Sequence, residues 1–170
     1  MLYPLYTVGY TSITDTIFYA AMLNFIASQG GDEGKLIDTR YSAWSRNPSY
    51  TSYTFKKNLG AGYVNMGDKF GNLNYKEPEK GIALADPGYY TVLVEMLKHA
   101  PQILMCGCKD SAHCHRSHVA QLVMDAHPTK ATVIHLTITD IVRWSDRTQP
   151  ALQPVSPAAA ISKPIQQSLI

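Results

Sequence analysis

Cysteine is scarce in this chain and placed wrongly for a disulfide framework. There are three, all between Cys106 and Cys114, whereas secreted scaffolds carry an even set spread along the chain. Long apolar runs are missing as well. Ile13 to Ala27 is broken by Thr14, Asp15, Thr16 and Asn24 and does not read as a membrane span. The opening MLYPLYTVGY lacks the basic segment and continuous apolar stretch of a secretory leader. Nor is there an excess of one charge: 15 Lys and Arg against 13 Asp and Glu leave +2, too little to support a nucleic-acid partner. These absences point to a cytoplasmic protein with no membrane partner, in which reduced thiols act as nucleophiles, metal ligands or packing groups. Nothing in the sequence specifies an oligomeric state.

What is present is the composition of an ordinary globular domain, 170 residues long and 45% hydrophobic, enough to bury one proper core. Leu5 to Val8 reads as a strand, and Ile13, Ile17, Ala20, Ala21 and Phe25 then recur at helical spacing. Further strands are expected at Lys35 to Asp38, Gly62 to Met66, Ile103 to Cys106 and Thr132 to Leu136. Helical patterns lie between and after them, near Phe55 to Leu59, Tyr89 to Leu97, Arg116 to Asp125 and Thr139 to Trp144. Strands alternating with helices imply a three-layer α/β fold, a mainly parallel sheet of about five strands with helices on both faces. One domain is expected over residues 1–146. Residues 147–170, rich in proline, alanine and serine and without periodicity, read as a flexible tail.

In a parallel sheet, ligands bind beyond the carboxyl ends of the strands. The residues there are Gly9-Tyr10-Thr11, Asp38-Thr39-Arg40, Gly67-Asp68-Lys69 and the run from Cys106 to Arg116. The segment CGCKDSAHCHRSH passes from a buried strand into a helix, which puts Cys114, His115, Arg116 and Ser117 at its first turn. Free N–H groups and the helix dipole favour an anion there. A cysteine at that place is expected to have its pKa lowered, with Arg116 as neighbouring cation, unless Cys106 and Cys114 simply pack. Asp38 either orients Arg40 or a substrate hydroxyl, or the two brace the loop. Arg46 would add positive charge, and Trp44 and Tyr50 either close over a ligand or anchor the loop to the core.

A metal is the rival reading of the same cluster, with Cys106, Cys108, Cys114 and His118 as the donor set. Cys114 and His118 stand one helical turn apart, but there is no C-x-x-C pair. Other familiar sites are excluded. A C-x5-R loop needs an arginine six residues after a cysteine, and those positions hold Ala112, Cys114 and Ala120. There is no Walker A loop, no G-x-G-x-x-G and no G-x-S-x-G elbow.

TVGYTS, LIDTR with SRNP, GYVNMGDKFG and MCGCKDSAHCHRSHVAQLV, in that order, resemble the family catalogued as domain of unknown function 488 (DUF488). The resemblance covers about the first 140 residues and is most specific in the C-x7-C-H-R-S element, Cys106 to Ser117. It implies a site at Asp38, Arg40, Arg46, Asn47, Pro48, Cys106, Lys109, Asp110, Cys114, His115 and Arg116. Tyr10 replaces the family's usual histidine, and Cys108 replaces a residue more often acidic. The family name carries no reaction.

The leading expectation is an enzyme for a small anionic or nucleotide-like substrate. Cys114, His115, Cys106 and Asp38 would be its catalytic groups, and Arg40, Arg46, Asn47, Lys109, Arg116, Ser117 and Tyr10 its binding groups, with no cofactor. A non-catalytic module using the same basic pocket is the alternative, and a zinc-dependent hydrolase the third reading.

Overall fold

A computed structural model of the chain describes residues 1–29 and 33–146. The expected tail over 147–170 lies outside the described residues. Five strands, β1 (Leu5–Gly9), β2 (Leu36–Asp38), β3 (Tyr63–Asn65), β4 (Gln102–Cys106) and β5 (Val133–His135), form one sheet in the order β3-β2-β4-β1-β5. All four pairings are parallel. The helices are α1 (Asp15–Ser28), α2 (Ser52–Leu59), α3 (Gly67–Phe70), α4 (Tyr90–Met96), α5 (His115–Ala126) and α6 (Ile138–Ser145).

Alternation along the strands divides the core in two. Tyr6, Val8, Leu36, Ile103 and Met105 point to one face, where they meet Phe18, Met22 and Phe25 of α1, Phe55 and Leu59 of α2 and Ile141 of α6. Leu5, Ile37 and Leu104 point to the other, against Phe70 of α3, Leu93 and Val94 of α4, and Val119 and Val123 of α5. The fold is thus the expected three-layer α/β sandwich. Full burial of a side chain such as Phe18 or Leu104 contributes about 1.5–3 kcal/mol.

Local chemistry sets the helix ends. Thr51 caps α2 by accepting from the Thr54 N–H, and Gly60 at φ 55° terminates it where only glycine sits without strain. A reciprocal capping box between Thr137 and Asp140 starts α6. The buried stripe of α1 is Phe18, Ala21, Met22 and Phe25. Ile13, expected to begin this helix, lies before it, because Thr14 is the extended N-cap residue. Helix α5 starts at His115, one residue earlier than its pattern suggested, which makes Cys114 its N-cap.

Strand order matters most for function. The chain leaves β2 through α2 towards β3 at one edge, and leaves β4 through α5 across β1 to β5 at the other. Crossovers of one hand put α2 and α5 on opposite faces. The two departing loops therefore diverge and leave a crevice beyond the carboxyl ends of β2 and β4, the topological switch point at which ligands bind in such sheets.

Candidate functional site

Thr39, directly after β2, ties this crevice together. Its N–H and its hydroxyl both donate to the Met105 carbonyl of β4, at 3.0 and 2.9 Å. His115 at the start of α5 places Nε2 2.8 Å from the Thr39 carbonyl and 2.9 Å from its hydroxyl oxygen. A carbonyl only accepts, so Nε2 carries the proton and Nδ1 turns towards the sulfurs. Nδ1 lies 3.7 Å from Cys106 Sγ and 4.0 Å from Cys114 Sγ. Cys106 Sγ is 3.6 Å from Cys108 Sγ. Among the described residues, the group able to hold a metal ion is Cys106, Cys114 and His115, all buried, with donor atoms within 4.8 Å of one another. His118 of the expected donor set is exposed on α5 and is not part of that group. Cys114 is the extended N-cap residue and not part of the helix, so it does not share a helical face with His118, while the buried stripe of α5 runs through Val119 and Val123.

Arg116 lies behind the thiols, only 2% exposed. Its Nη1 donates to the Cys108 carbonyl at 2.9 Å and to Cys114 Sγ at 3.1 Å, and its Nε is buried without a hydrogen-bond partner. Room for this contact depends on Gly9, where a Cβ would stand 1.8 Å from the Cys108 carbonyl oxygen. The lowered pKa expected for Cys114 is reversed. Its Cys106 and Cys108 neighbours, together with burial, push the Cys114 thiol up. The same Cys106 and Cys114 contacts pull Cys108 down, helped by the nearby His115 and Arg116. Three adjoining thiols favour a single charge, which falls on the exposed one. Burial works against charge on His115, but Cys114, the Thr39 carbonyl and Cys108 together outweigh it and raise the imidazole.

Asp38 and Arg40 form a pillar beside this cluster. Asp38 is fully buried. It accepts from Arg40 Nε at 2.8 Å, Arg40 Nη2 at 2.6 Å, the Arg40 backbone N–H at 3.1 Å and the Tyr63 hydroxyl at 2.8 Å. Arg40 Nη1 donates to the Tyr10 hydroxyl and the Tyr50 carbonyl, at 2.9 and 2.8 Å. Tyr10 in turn stacks on Tyr50 with ring centroids 4.4 Å apart. Of the two readings of this pair, the geometry matches the bracing one. A carboxylate with four donors and a guanidinium with three anchoring groups are positioned for structure rather than for proton transfer or anion capture.

The crevice opens into a cleft of about 670 Å³. Arg40, Tyr41 and Trp44 form one wall, and Cys106, Cys108 and His115 the floor. The third side comes from the segment between α3 and α4, through Asn72, Asn74, Tyr75, Pro78 and Ile82. That segment has no helical or strand periodicity. An isolated antiparallel bridge between Asn72 and Leu84 holds it, with the Asn72 side chain accepting from the Asn74 and Ala83 N–H groups. Long loops of this kind are uncommon in compact domains and are often functional. That length, with the Gly-Asn and Pro punctuation of GNLNYKEPEKG, is the sequence feature from which it could have been suspected.

Other expected binding residues stand elsewhere. Arg46, Asn47, Lys109, Arg116, Ser117 and Tyr10 do not line the cleft, and neither does Cys114, which is 1% exposed. Arg46 and Lys109 are exposed to solvent. Asn47 caps the short turn Pro48–Tyr50 by accepting from the Ser49 N–H. The Ser117 hydroxyl donates to the Ser111 carbonyl at 2.6 Å, closing the loop before α5. Thr39 was not singled out from the sequence, yet it orients His115.

No protein-family model, curated protein or solved structure matches this chain. No helix among the described residues is long and apolar enough to cross a membrane.

Proposed function

We propose that this protein is an enzyme acting on a small nucleotide-like molecule held in the cleft, with Cys108 rather than Cys114 as the thiol that meets it. One observation carries the reading: the exposed thiol Cys108 and the imidazole His115 form the floor of a cleft whose walls are aromatic. Tyr41 and Tyr75 pack against each other at its edge with ring centroids 5.6 Å apart, and Trp44, which lines the same cleft, is 68% exposed. Aromatic faces select planar ligands by stacking. Arg40 and Arg116 spend donors inside the chain, so a bare anion finds little to grip, whereas a base with a charged substituent can use the walls. Cys108 and His115 line the same cleft, and thiol with imidazole is the pairing used for nucleophilic catalysis. Membership of the family that the C-x7-C-H-R-S element resembles belongs to the same proposal and adds no reaction to it.

The test combines binding with thiol protection. Trp44 fluorescence is followed while the common ribonucleoside monophosphates are added, with Trp44→Phe as control, and alkylation of Cys108 is mapped by peptide mass spectrometry. At least one nucleotide should quench Trp44 and slow alkylation of Cys108. A Cys108 that alkylates at the same rate with every nucleotide, with no quenching, would overturn the reading. Binding and protection without turnover of any bound nucleotide would leave a binding module, and turnover undiminished in Cys108→Ser would remove Cys108 as the reacting thiol.

A further inference from the structure

We infer that Cys106, Cys108, Cys114 and His115 form a Cys3His site for a zinc-type divalent cation at the floor of the cleft. This stands on the donor geometry and not on which molecule the cleft takes.

Distances come first. A tetrahedral ion with metal–sulfur bonds of about 2.3 Å and a metal–nitrogen bond of about 2.0–2.1 Å separates its sulfurs by about 3.8 Å, and sulfur from nitrogen by about 3.5 Å. The separations here are 3.6 Å between Cys106 and Cys108, 3.7 Å from Cys106 to His115 Nδ1 and 4.0 Å from Cys114 to His115 Nδ1. Three of the six edges of the tetrahedron are thus already near length; Cys106, Cys114 and His115, on a strand end and a helix start, have all donor atoms within 4.8 Å of one another, and Cys108, outside that group on the loop between them, completes the set by a small movement of its loop. Soft thiolates with one imidazole suit zinc among the common divalent ions.

Orientation of the imidazole is the second observation. Histidine ligands as a rule donate their other ring N–H to a carbonyl or carboxylate, which fixes tautomer and ring angle. His115 does this through Nε2 to the Thr39 carbonyl at 2.8 Å. The Thr39 hydroxyl is committed as donor to Met105, so towards Nε2 it can only accept. Both contacts leave the Nδ1 lone pair facing the sulfurs.

Charge is the third and independent observation. Arg116 is 2% exposed and its Nε has no hydrogen-bond partner. No carboxylate pairs with it among the described residues. A buried guanidinium needs a compensating anion; of the two groups at hydrogen-bond distance the Cys108 carbonyl, at 2.9 Å, is neutral, and the ionisable one is Cys114 Sγ, 3.1 Å away. Three thiolates and a neutral imidazole around a divalent cation sum to one negative charge, which Arg116 cancels. Cys108, at the cleft floor, would then be a metal-held thiolate facing the ligand, since a coordinating thiol is deprotonated outright.

The full chain, purified under reducing conditions without chelators, is assayed for metal content and by titration with zinc or cobalt(II). The expected result is one equivalent per chain, with the visible bands of tetrahedral cobalt–thiolate coordination. Cys106→Ser and Cys114→Ser should abolish uptake, and Cys108→Ser should weaken it and alter the cobalt spectrum. Arg116→Met should weaken it about 10–100-fold as a positioning residue, while His118→Ala leaves it unchanged. Wild-type protein with all three thiols free and reduced that binds neither ion better than a Cys106→Ser/Cys114→Ser variant would overturn the site. Unchanged affinity and spectrum in Cys108→Ser would overturn the fourth ligand. Either failure leaves nucleotide protection of Cys108 to be judged separately, so the two proposals can fail independently.

Discussion

Asp38→Asn isolates what the buried carboxylate does. The change keeps shape and volume but removes the charge facing Arg40, and it turns an amide N–H2 towards guanidinium donors that now bond at 2.6 and 2.8 Å. Both side chains are taken out of water, Asp38 completely and Arg40 to 7% exposure. Removing one member of such a pair leaves the other as an uncompensated buried charge, at a cost of about 3–5 kcal/mol. With a urea m-value of about 2 kcal/mol/M, the unfolding midpoint should fall by about 2 M. Melting should drop by roughly 6–20 °C, given about 2–4 °C per kcal/mol for a chain of this size. Introducing Arg40→Met into the Asp38→Asn background should restore part of the loss, because the stranded cation goes with it. Equilibrium urea unfolding followed by circular dichroism is the assay. A midpoint shift below about 0.5 M, or strictly additive losses in the double variant, would refute the pillar and return Asp38 to the list of groups available for chemistry.

Three further outcomes are expected. Gly9→Ala puts a methyl group where the Cys108 carbonyl oxygen lies 1.8 Å away, so the 107–109 turn must move; a cost of about 1–3 kcal/mol should come with a changed alkylation rate at Cys108, and a silent substitution would contradict the close packing. Thr137→Ala deletes the capping box of α6 and should cost about 1 kcal/mol in thermal unfolding. His135 accepts or donates at Thr7 and is held below its ordinary value of 6.5 by partial burial and by Arg116. The unfolded chain therefore binds a proton that the folded chain declines, and stability conferred by the neutral ring above pH 6.5 is lost as the pH falls through that range. His135→Gln should flatten this acid limb relative to wild type, and identical pH profiles would count against it.

The strands were legible because each is a short apolar run, β1 to β4 bounded by glycine, proline or a charged residue and β5 by threonines, and a three-residue strand such as Leu36–Asp38 sits inside its expected range. Which strands lie side by side was not. Adjacency of β2 and β4 is a long-range fact with no local trace, and it makes Thr39 the support of His115. The thiol segment was visible from its residue types, but its inner arrangement turned on one residue of helix phase. Starting α5 at His115 brings the imidazole to the sulfurs and leaves His118 in solvent. Asp38 and Arg40 illustrate a different limit, since a carboxylate two residues before an arginine fits a substrate clamp or an internal brace equally well until burial is known. The wall from Asn72 to Ile82 was missed because it has no periodicity to read, only turn chemistry.

These placements amount to a division of labour along the sheet. Groups at or next to the strand ends, Asp38, Thr39, Arg40 and Cys106, are buried and held, Asp38 and Arg40 by each other, Thr39 by Met105, and Cys106 against His115, so they set positions to within the stiffness of the sheet. Groups that a ligand would touch first, Tyr41, Trp44, Tyr75 and Cys108, are exposed and sit on loops. Two arginines that read from sequence as anion-binding thereby acquire different work. Arg40 holds the loop after β2 against the core through Asp38 and Tyr50, and Arg116 holds the loop after β4 through the Cys108 carbonyl. Each cation fixes one bank of the crevice at the switch point. A ligand entering between them meets geometry that the arginines have set and chemistry that the thiols and aromatic rings supply, so exchanging loop residues should alter what is bound, whereas exchanging either arginine should alter whether the cleft forms at all.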